Sequence, residues 1–152
     1  MTATAAAIEF GLGPIDQVSF AVRDLEASLP AYEALFGTFR VVTSTLEQFT
    51  YRGRTAGPTT VKLGFAMSGD LEIELVEVVS GGFPQVEHLQ KHGEGVQHVR
   101  YRVDDVDGVR ARMEAAGYGA VLVGVSERAQ FCYLEAPDKL GHTMIELIRY
   151  SA

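Results

Sequence analysis

Hydrophobic and polar residues alternate in two segments of the chain, residues 15–26 and 96–107, which align with each other without a gap. The apolar positions are Val18, Phe20 and Val22 in the first segment and Val99, Tyr101 and Val103 in the second. Alternation with a period of two is typical of a β-strand that buries one face. Each segment then continues into acidic residues, which are preferred at the N-terminal cap of a helix. Each therefore predicts a strand that leads into a helix.

Both predicted helices carry apolar residues on one side and a glycine directly after the last apolar turn. The first covers residues 25–36 and is followed by Gly37, and the second covers residues 106–116 and is followed by Gly117. Glycine is preferred just beyond a helix C-terminus because it adopts positive φ angles without strain. The two helices are therefore predicted to end at these positions.

A second pair of similar segments marks the last strand of each predicted unit. Residues 73–76 read Ile-Glu-Leu-Val, and residues 145–148 read Ile-Glu-Leu-Ile. The strands predicted between helix and last strand are 39–46 and 61–67 in the first unit and 120–125 and 130–135 in the second. The first unit is longer, and its extra residues fit a hairpin loop at 51–58, which is rich in turn-forming residues.

The predicted organisation is two βαβββ units within a single domain. Its parts are an N-terminal extension at 1–13, the first unit at 14–80, a linker with a short helix at 81–92, and the second unit at 93–152. A chain of 152 residues, of which 47% are hydrophobic and 22% are charged, has ample apolar material for one such domain.

Charge and cysteine content limit the partners and the location. The formal net charge of −7 argues against nucleic acid or an anionic membrane as a partner, and no apolar run approaches the roughly 18 residues that span a bilayer. Cys132 is the single cysteine, so no internal disulfide forms, which fits a reducing cytoplasm. The first residues lack the basic and apolar regions of a secretory signal. The expected partner is a small molecule.

Four polar residues occupy equivalent positions on the strand faces opposite the apolar residues. They are Gln17 and His98 on the first strands and Glu74 and Glu146 on the last strands. Side chains alternate across a strand, so all four are predicted to face away from the helices. A carboxylate in the middle of an apolar strand is costly unless it is exposed, paired or bound to a metal. Two of them at repeat-equivalent positions therefore predict a shared site.

Arg100 shares this predicted face with His98, two residues away. A guanidinium group in a cleft holds the carboxylate or phosphate of a substrate. The alternative is a structural ion pair with Glu72 or Glu74. The sequence leaves both interpretations open, and we take Arg100 as the candidate substrate-binding residue.

Four stretches of the chain carry a resemblance to a known family. They are IDQVSFAVRDLE at 15–26, GDLEIELVE at 69–77, GEGVQHVRYRVDD at 93–105 and GHTMIEL at 141–147. Together they resemble the vicinal oxygen chelate superfamily, which includes glyoxalase I, methylmalonyl-CoA epimerase, extradiol dioxygenases and bleomycin-resistance proteins. These motifs are most similar to those of methylmalonyl-CoA epimerase, and the resemblance covers about residues 14–150. It implies an α+β fold in which two tandem βαβββ modules form a cupped, incomplete eight-stranded barrel, commonly as a homodimer.

The resemblance also implies one divalent metal ion held by Gln17, Glu74, His98 and Glu146. The epimerase pattern usually has a histidine on the first strand and a glutamine on the last strand of the first module. The set found here is instead similar to that of zinc-type glyoxalase I. One nitrogen and three oxygen ligands suit zinc, nickel, cobalt or manganese. Iron-dependent ring cleavage requires two histidines and a carboxylate, so it is disfavoured.

The function that this resemblance implies is a metal-dependent isomerase or lyase. Such an enzyme abstracts a proton next to a carbonyl or thioester group through a metal-stabilised enolate, and Glu146 is the first candidate for the base, followed by Glu74. The alternative is a metal-free protein of the bleomycin-resistance type that sequesters a hydrophobic or cationic molecule, and Gln17 in place of a histidine favours it. A third hypothesis is an enzyme that acts on a different small molecule, because a fold does not determine a function.

Overall fold

The computed structural model describes residues 9–151. Its strands are β1 (Gln17–Ala21), β2 (Arg40–Leu46), β3 (Phe49–Tyr51), β4 (Arg54–Ala56), β5 (Thr59–Ser68), β6 (Leu71–Ser80), β7 (Gly95–Arg102), β8 (Gly119–Val125), β9 (Ala129–Glu135) and β10 (Met144–Tyr150). Its helices are α1 (Leu25–Phe36), α2 (Pro84–His92) and α3 (Val106–Ala115), with a 3₁₀ turn at Asp138–Leu140. Most of the predicted N-terminal extension lies outside the described residues.

All ten strands form one strongly curled sheet, in the order β2-β5-β6-β1-β7-β10-β9-β8-β3-β4. The antiparallel pair β1–β7 lies at its centre, with β6 parallel to β1 on one side and β10 parallel to β7 on the other. The first half therefore runs outward as β1-β6-β5-β2 and the second as β7-β10-β9-β8. The two halves have the same strand order, as the internal repeat predicts, and the fold is α+β. The residue boundaries of the two units stay a prediction.

Helices α1 and α3 cover the convex face of this sheet. Leu25 on α1 packs in one buried cluster with Ile73 and Leu75 of β6, and Met113 on α3 packs in another with Leu147 of β10. Burial of these apolar stripes is the main stabilising contribution of each helix. The opposite, concave face of the sheet is therefore available for polar groups.

The helix boundaries follow from caps that the sequence predicts. The Asp24 side chain accepts a hydrogen bond from the Ala27 amide (3.1 Å), and the Asp105 side chain accepts one from the Gly108 amide (3.0 Å). Helix α1 ends directly before Gly37, which has a φ of 82°. Helix α3 ends one residue earlier than predicted, at Ala115, and Gly117 lies two residues beyond with a φ of 100°.

The segment predicted as a loop at 51–58 instead contains most of a β-hairpin. Strands β3 and β4 pair with each other, and β3 also pairs with β8 of the second half, so the sheet has ten strands rather than eight. Arg52 and Gly53 form the turn with φ values of 48° and 78°, and positive φ at both central residues suits a two-residue hairpin. The Phe49 ring packs against Phe83 at a centroid distance of 5.5 Å. This apolar contact explains why the segment folds onto the sheet.

The turn glycine offers a direct test of the hairpin. An added Cβ at Gly53 meets no atom within 4 Å, so the strain of a φ of 78° is the main cost of a substitution there. We expect Gly53→Ala to lower the free energy of unfolding by about 1 kcal/mol, measured by urea unfolding. The matched control is Gly82→Ala, because Gly82 also has open space around it but no positive φ. An equal loss in both variants would contradict the turn geometry.

None of the helices within residues 9–151 combines the length and the apolarity that crossing a membrane requires.

Candidate metal centre

The four predicted ligand residues come together on the concave face, and all of them are buried. The exposed fractions are 0% for Gln17 and His98, 8% for Glu74 and 6% for Glu146. The His98 Nε2 atom lies 2.9 Å from Gln17 Oε1, 3.0 Å from Glu146 Oε1 and 3.7 Å from Glu74 Oε1. Two of these residues come from each half, through the neighbouring strands β6, β1, β7 and β10. The cluster therefore lies where the two halves meet.

The orientation of the Gln17 side chain is set by Glu72 on β6. The Gln17 amide nitrogen donates to Glu72 Oε1 at 2.8 Å. A carboxylate only accepts hydrogen bonds, so the amide nitrogen must face Glu72. The carbonyl oxygen of Gln17 consequently faces His98.

The orientation of the His98 ring is set by Gln97, which sequence reasoning missed. Gln97 Oε1 lies 2.6 Å from His98 Nδ1 and also accepts a hydrogen bond from Gln85 on α2 (3.2 Å). An amide oxygen only accepts, so Nδ1 carries a hydrogen, and Nε2 is the ring nitrogen that faces the three oxygens. Gln97 reaches this side because the pairing of β7 with β1 shifts at this point, from Ser19 opposite His98 to Phe20 opposite Val96. Such a β-bulge places two consecutive residues on one face.

The donor set fits a cation. His98 Nε2 has three acceptor oxygens within 3.7 Å, and a proton or a cation stabilises such a buried group of electron-rich atoms. Ser19 Oγ donates to Glu74 Oε1 at 2.6 Å, which satisfies one carboxylate oxygen. One imidazole nitrogen, one amide oxygen and two carboxylates are ligands that zinc, nickel, cobalt and manganese accept.

Glu74 has an unusual protonation equilibrium. Burial raises the pKa of Glu74 to about 7 from its ordinary 4.5, repulsion by Glu146 adds to this rise, and His98 and Ser19 oppose it. A carboxyl group with a pKa near neutrality gains and loses protons readily at physiological pH. Glu74 is therefore suited to accept a proton.

Gln97 is expected to govern metal affinity through the His98 ring. We expect Gln97→Leu to weaken metal binding by roughly 10- to 100-fold, because Nδ1 loses its acceptor and the ring loses its fixed orientation. Competition with a chromophoric chelator measures this affinity. Gln97→Glu is the matched control, because it keeps an acceptor for Nδ1 and should retain more of the affinity. Equal affinities in the wild type and Gln97→Leu would show that Gln97 has no such role.

Arg100 lies on the predicted face, but its guanidinium group is occupied. Nε donates to Asp16 at 2.9 Å, one terminal nitrogen lies 3.5 Å from Glu72 and the other donates to the Tyr150 hydroxyl at 3.0 Å. This arrangement favours the alternative of a structural ion pair with Glu72. A contact between Arg100 and a substrate stays a prediction.

A second group of carboxylates, on the convex face, has structural roles. Asp24, Glu26 and Glu77 lie close enough together to share a cation. However, Asp24 caps α1, Glu77 accepts from the Leu25 amide at 2.7 Å, and Glu26 forms an ion pair with Lys62 at 3.1 Å. These contacts account for the group without a metal.

Comparison with known proteins places the chain in a family. Residues 16–133 match the model of the glyoxalase/bleomycin resistance protein/dioxygenase superfamily. The chain belongs to this superfamily. The resemblance seen in the sequence is therefore confirmed, and the strongly curled sheet with its three helices is the fold of the superfamily.

Relatives of known structure in this superfamily include methylmalonyl-CoA epimerases. The enzyme from Mycobacterium tuberculosis is 20% identical, with a TM-score of 0.62 over 93% of this chain and 90% of that one. A variant of the Streptomyces coelicolor enzyme, in complex with 2-nitronate-propionyl-CoA, is 21% identical, with a TM-score of 0.62 over 93% of this chain and 96% of that one. At this level of identity the likeness shows the fold alone.

A relative found by its sequence is named for an activity other than that of the epimerases. The 4-hydroxyphenylpyruvate dioxygenase of Caenorhabditis briggsae is 27% identical over 143 residues, which are 89% of this chain and 34% of that protein. The chain thus spans about a third of that relative. Membership of the superfamily therefore leaves the specific activity to the residues of the site.

Proposed function

We propose that this protein is a metal-dependent isomerase or lyase that removes a proton from a carbon next to a carbonyl group. The observation that carries the proposal is the convergence of Gln17, Glu74, His98 and Glu146 around one buried point, with three acceptor oxygens facing the free nitrogen of His98. A structural role alone does not explain why two carboxylates are buried beside an imidazole whose other nitrogen already has a partner.

The four residues would hold the metal through His98 Nε2, Gln17 Oε1 and the carboxylates of Glu74 and Glu146. A divalent cation there would polarise a carbonyl group of the substrate and make the neighbouring proton more acidic. The residues around the centre restrict water, because Tyr133 packs against His98 with ring centroids 5.0 Å apart. Exclusion of water strengthens the electrostatic interactions of the site.

Glu74 is the carboxylate that we propose as the base. Its Oε1 atom lies 3.7 Å from His98 Nε2, whereas Oε1 of Glu146 lies 3.0 Å from the same nitrogen. The Ser19 hydroxyl donates a hydrogen bond to Glu74 Oε1. A carboxylate in this position could take up a proton from a substrate carbon and return it. These features support Glu74 over Glu146, the reverse of the order that the sequence suggests.

We propose a small carbonyl compound or thioester as the substrate. A solved epimerase of the same fold, with a TM-score of 0.59, is in complex with methylmalonyl-CoA, a thioester with such an acidic carbon. Ring cleavage by iron is less well supported, because two histidines and a carboxylate are the usual ligands and His98 is the sole histidine of this site. The homodimer and the cytoplasmic location stay predictions.

The test combines elemental analysis with proton exchange. We expect the purified protein to contain close to one zinc, nickel, cobalt or manganese ion per chain. In heavy water it should exchange the carbon-bound proton of an acyl-CoA thioester or a hemithioacetal, which mass spectrometry detects. Metal-free protein that binds such molecules tightly without exchange would overturn the proposal and support the sequestration alternative.

A further inference from the structure

One row of side chains crosses the concave face from the metal centre to the edge of the sheet. The strand register places Ser19 opposite Glu74, Glu74 opposite Phe65, and Phe65 opposite Arg40. Residues directly opposite each other on neighbouring strands share a face. The row therefore leads from a carboxylate of the centre, across an aromatic ring, to a cation on the edge strand β2.

The two sides of the concave face differ in how fully they are filled. Beyond Glu146, the concave face is covered by Tyr133, Leu122, Phe49 and Phe83, of which none is more than 8% exposed. Beyond Glu74, the first half presents apolar side chains that are only partly buried. We call these residues of β2 and β5 the open wing; they are Val42, Leu63, Phe65 and Met67. The open wing therefore offers incompletely buried apolar surface beside the centre, on which the apolar part of a ligand can lie.

Arg40 is the cation at the outer end of the open wing. Its guanidinium carbon lies 5.2 Å from the centroid of the Phe65 ring, and none of the ion pairs formed among residues 9–151 includes it. By contrast, Arg100 and Arg102, at the inner end of the face, both pair with Asp16. A guanidinium without a carboxylate partner, in a chain with a net charge of −7, is a local attraction for an anion.

We propose that the open wing binds the remote end of the substrate, which carries a terminal carboxylate separated from the reacting carbonyl by an apolar spacer. The spacer lies on Phe65 and Leu63, and the carboxylate pairs with Arg40. Arg40 on β2 and Glu74 on β6 are separated by one strand, so the part of the spacer that crosses the open wing covers about 10 Å. A guanidinium group binds a carboxylate through two parallel hydrogen bonds.

This inference rests on the proposed function, because it takes the metal centre as the site of the carbonyl end. Its test uses two probes of equal length in the cobalt-loaded protein: suberic acid monohydroxamate and octanohydroxamic acid. Both have the same metal-chelating end, but only the first has a carboxylate at the other end. Isothermal titration should show that the wild type prefers the carboxylate probe by roughly 3- to 10-fold. The preference should fall as the salt concentration rises.

Two variants assign this preference to Arg40. Arg40→Gln should remove it while leaving the affinity for octanohydroxamic acid unchanged, and that unchanged affinity shows that the variant is folded. Arg54→Gln, which removes an exposed arginine of the hairpin, should keep the preference. Equal binding of both probes by the wild type, or a preference that survives Arg40→Gln, would overturn the inference and leave the metal centre in place. If neither probe binds the cobalt-loaded protein, the proposed function fails and the inference fails with it.

Discussion

Replacement of His98 by alanine is expected to remove the metal from the purified protein. His98 supplies the single nitrogen among the four ligands, and its ring lies at the centre of the cluster, fully buried. The three remaining oxygen ligands bind zinc, nickel or cobalt less well without it. The loss of affinity should exceed the roughly 10- to 100-fold that removal of an outer partner costs. Elemental analysis and chelator competition measure it.

His142 provides the matched control for this variant. It is exposed, and its ring stacks on His92 at a centroid distance of 3.5 Å, away from the four ligands. His142→Ala should therefore retain the full metal content. Glu146→Gln tests the same centre with a change of charge and almost no change of volume. Unchanged metal content in both His98→Ala and Glu146→Gln would contradict the metal-centre proposal.

Replacement of Glu74 by glutamine is expected to stabilise the metal-free protein and, at the same time, to weaken metal binding and stop turnover. The pKa of Glu74 is about 7 in the folded protein against an ordinary 4.5, so the folded state binds more protons than the unfolded state between these values. The free energy of unfolding of the wild type therefore falls as the pH rises through this range. Glutamine has no such titration and can still accept from Ser19.

The expected gain of Glu74→Gln consequently depends on pH. It should be small near pH 5 and should reach on the order of 1–3 kcal/mol above about pH 7. Urea unfolding of chelator-treated protein measures it. The control is Glu77→Gln, three residues along the same strand on the opposite face, which should show neither the pH-dependent gain nor the loss of metal. A variant that is less stable than the wild type at every pH would mean that Glu74 serves the fold rather than the site.

Much of the fold and of the site follows from the internal repeat. Alignment of the two halves identified equivalent strand positions, and that comparison alone selected Gln17, Glu74, His98 and Glu146. The structure places the other three side chains within 3.7 Å of His98 Nε2. The helix caps at Asp24 and Asp105 were also predictable, because they depend on residues three positions apart.

The remaining features depend on contacts between distant parts of the chain. Strict alternation assigns Gln97 to the same face as Val99 and Tyr101, whereas the bulge in β7 turns it toward His98. The hairpin pairs with a strand about seventy residues away, from Thr50 to Val123, which no local pattern reveals. The turn residues Arg52-Gly53 could have indicated the hairpin, because the aromatic residues Phe49 and Tyr51 alternate along the chain directly before them. Likewise, the partners of Arg100 became clear only when Asp16 and Tyr150 were brought beside it.

The hairpin has a consequence for the rigidity of the centre. Each half contributes two of the four proposed ligands, so any hinge motion between the halves would change the distances between them. Hydrogen-bonded strands join the halves at two separate places, β1 with β7 at the centre of the sheet and β3 with β8 toward its end. Arg52, at the tip of the hairpin, adds ion pairs to Glu87 on α2 (2.7 Å) and Glu135 on β9 (2.9 Å). A hinge motion between the halves would have to break one of these connections, so a cation held by residues of both halves would cost less conformational entropy on binding.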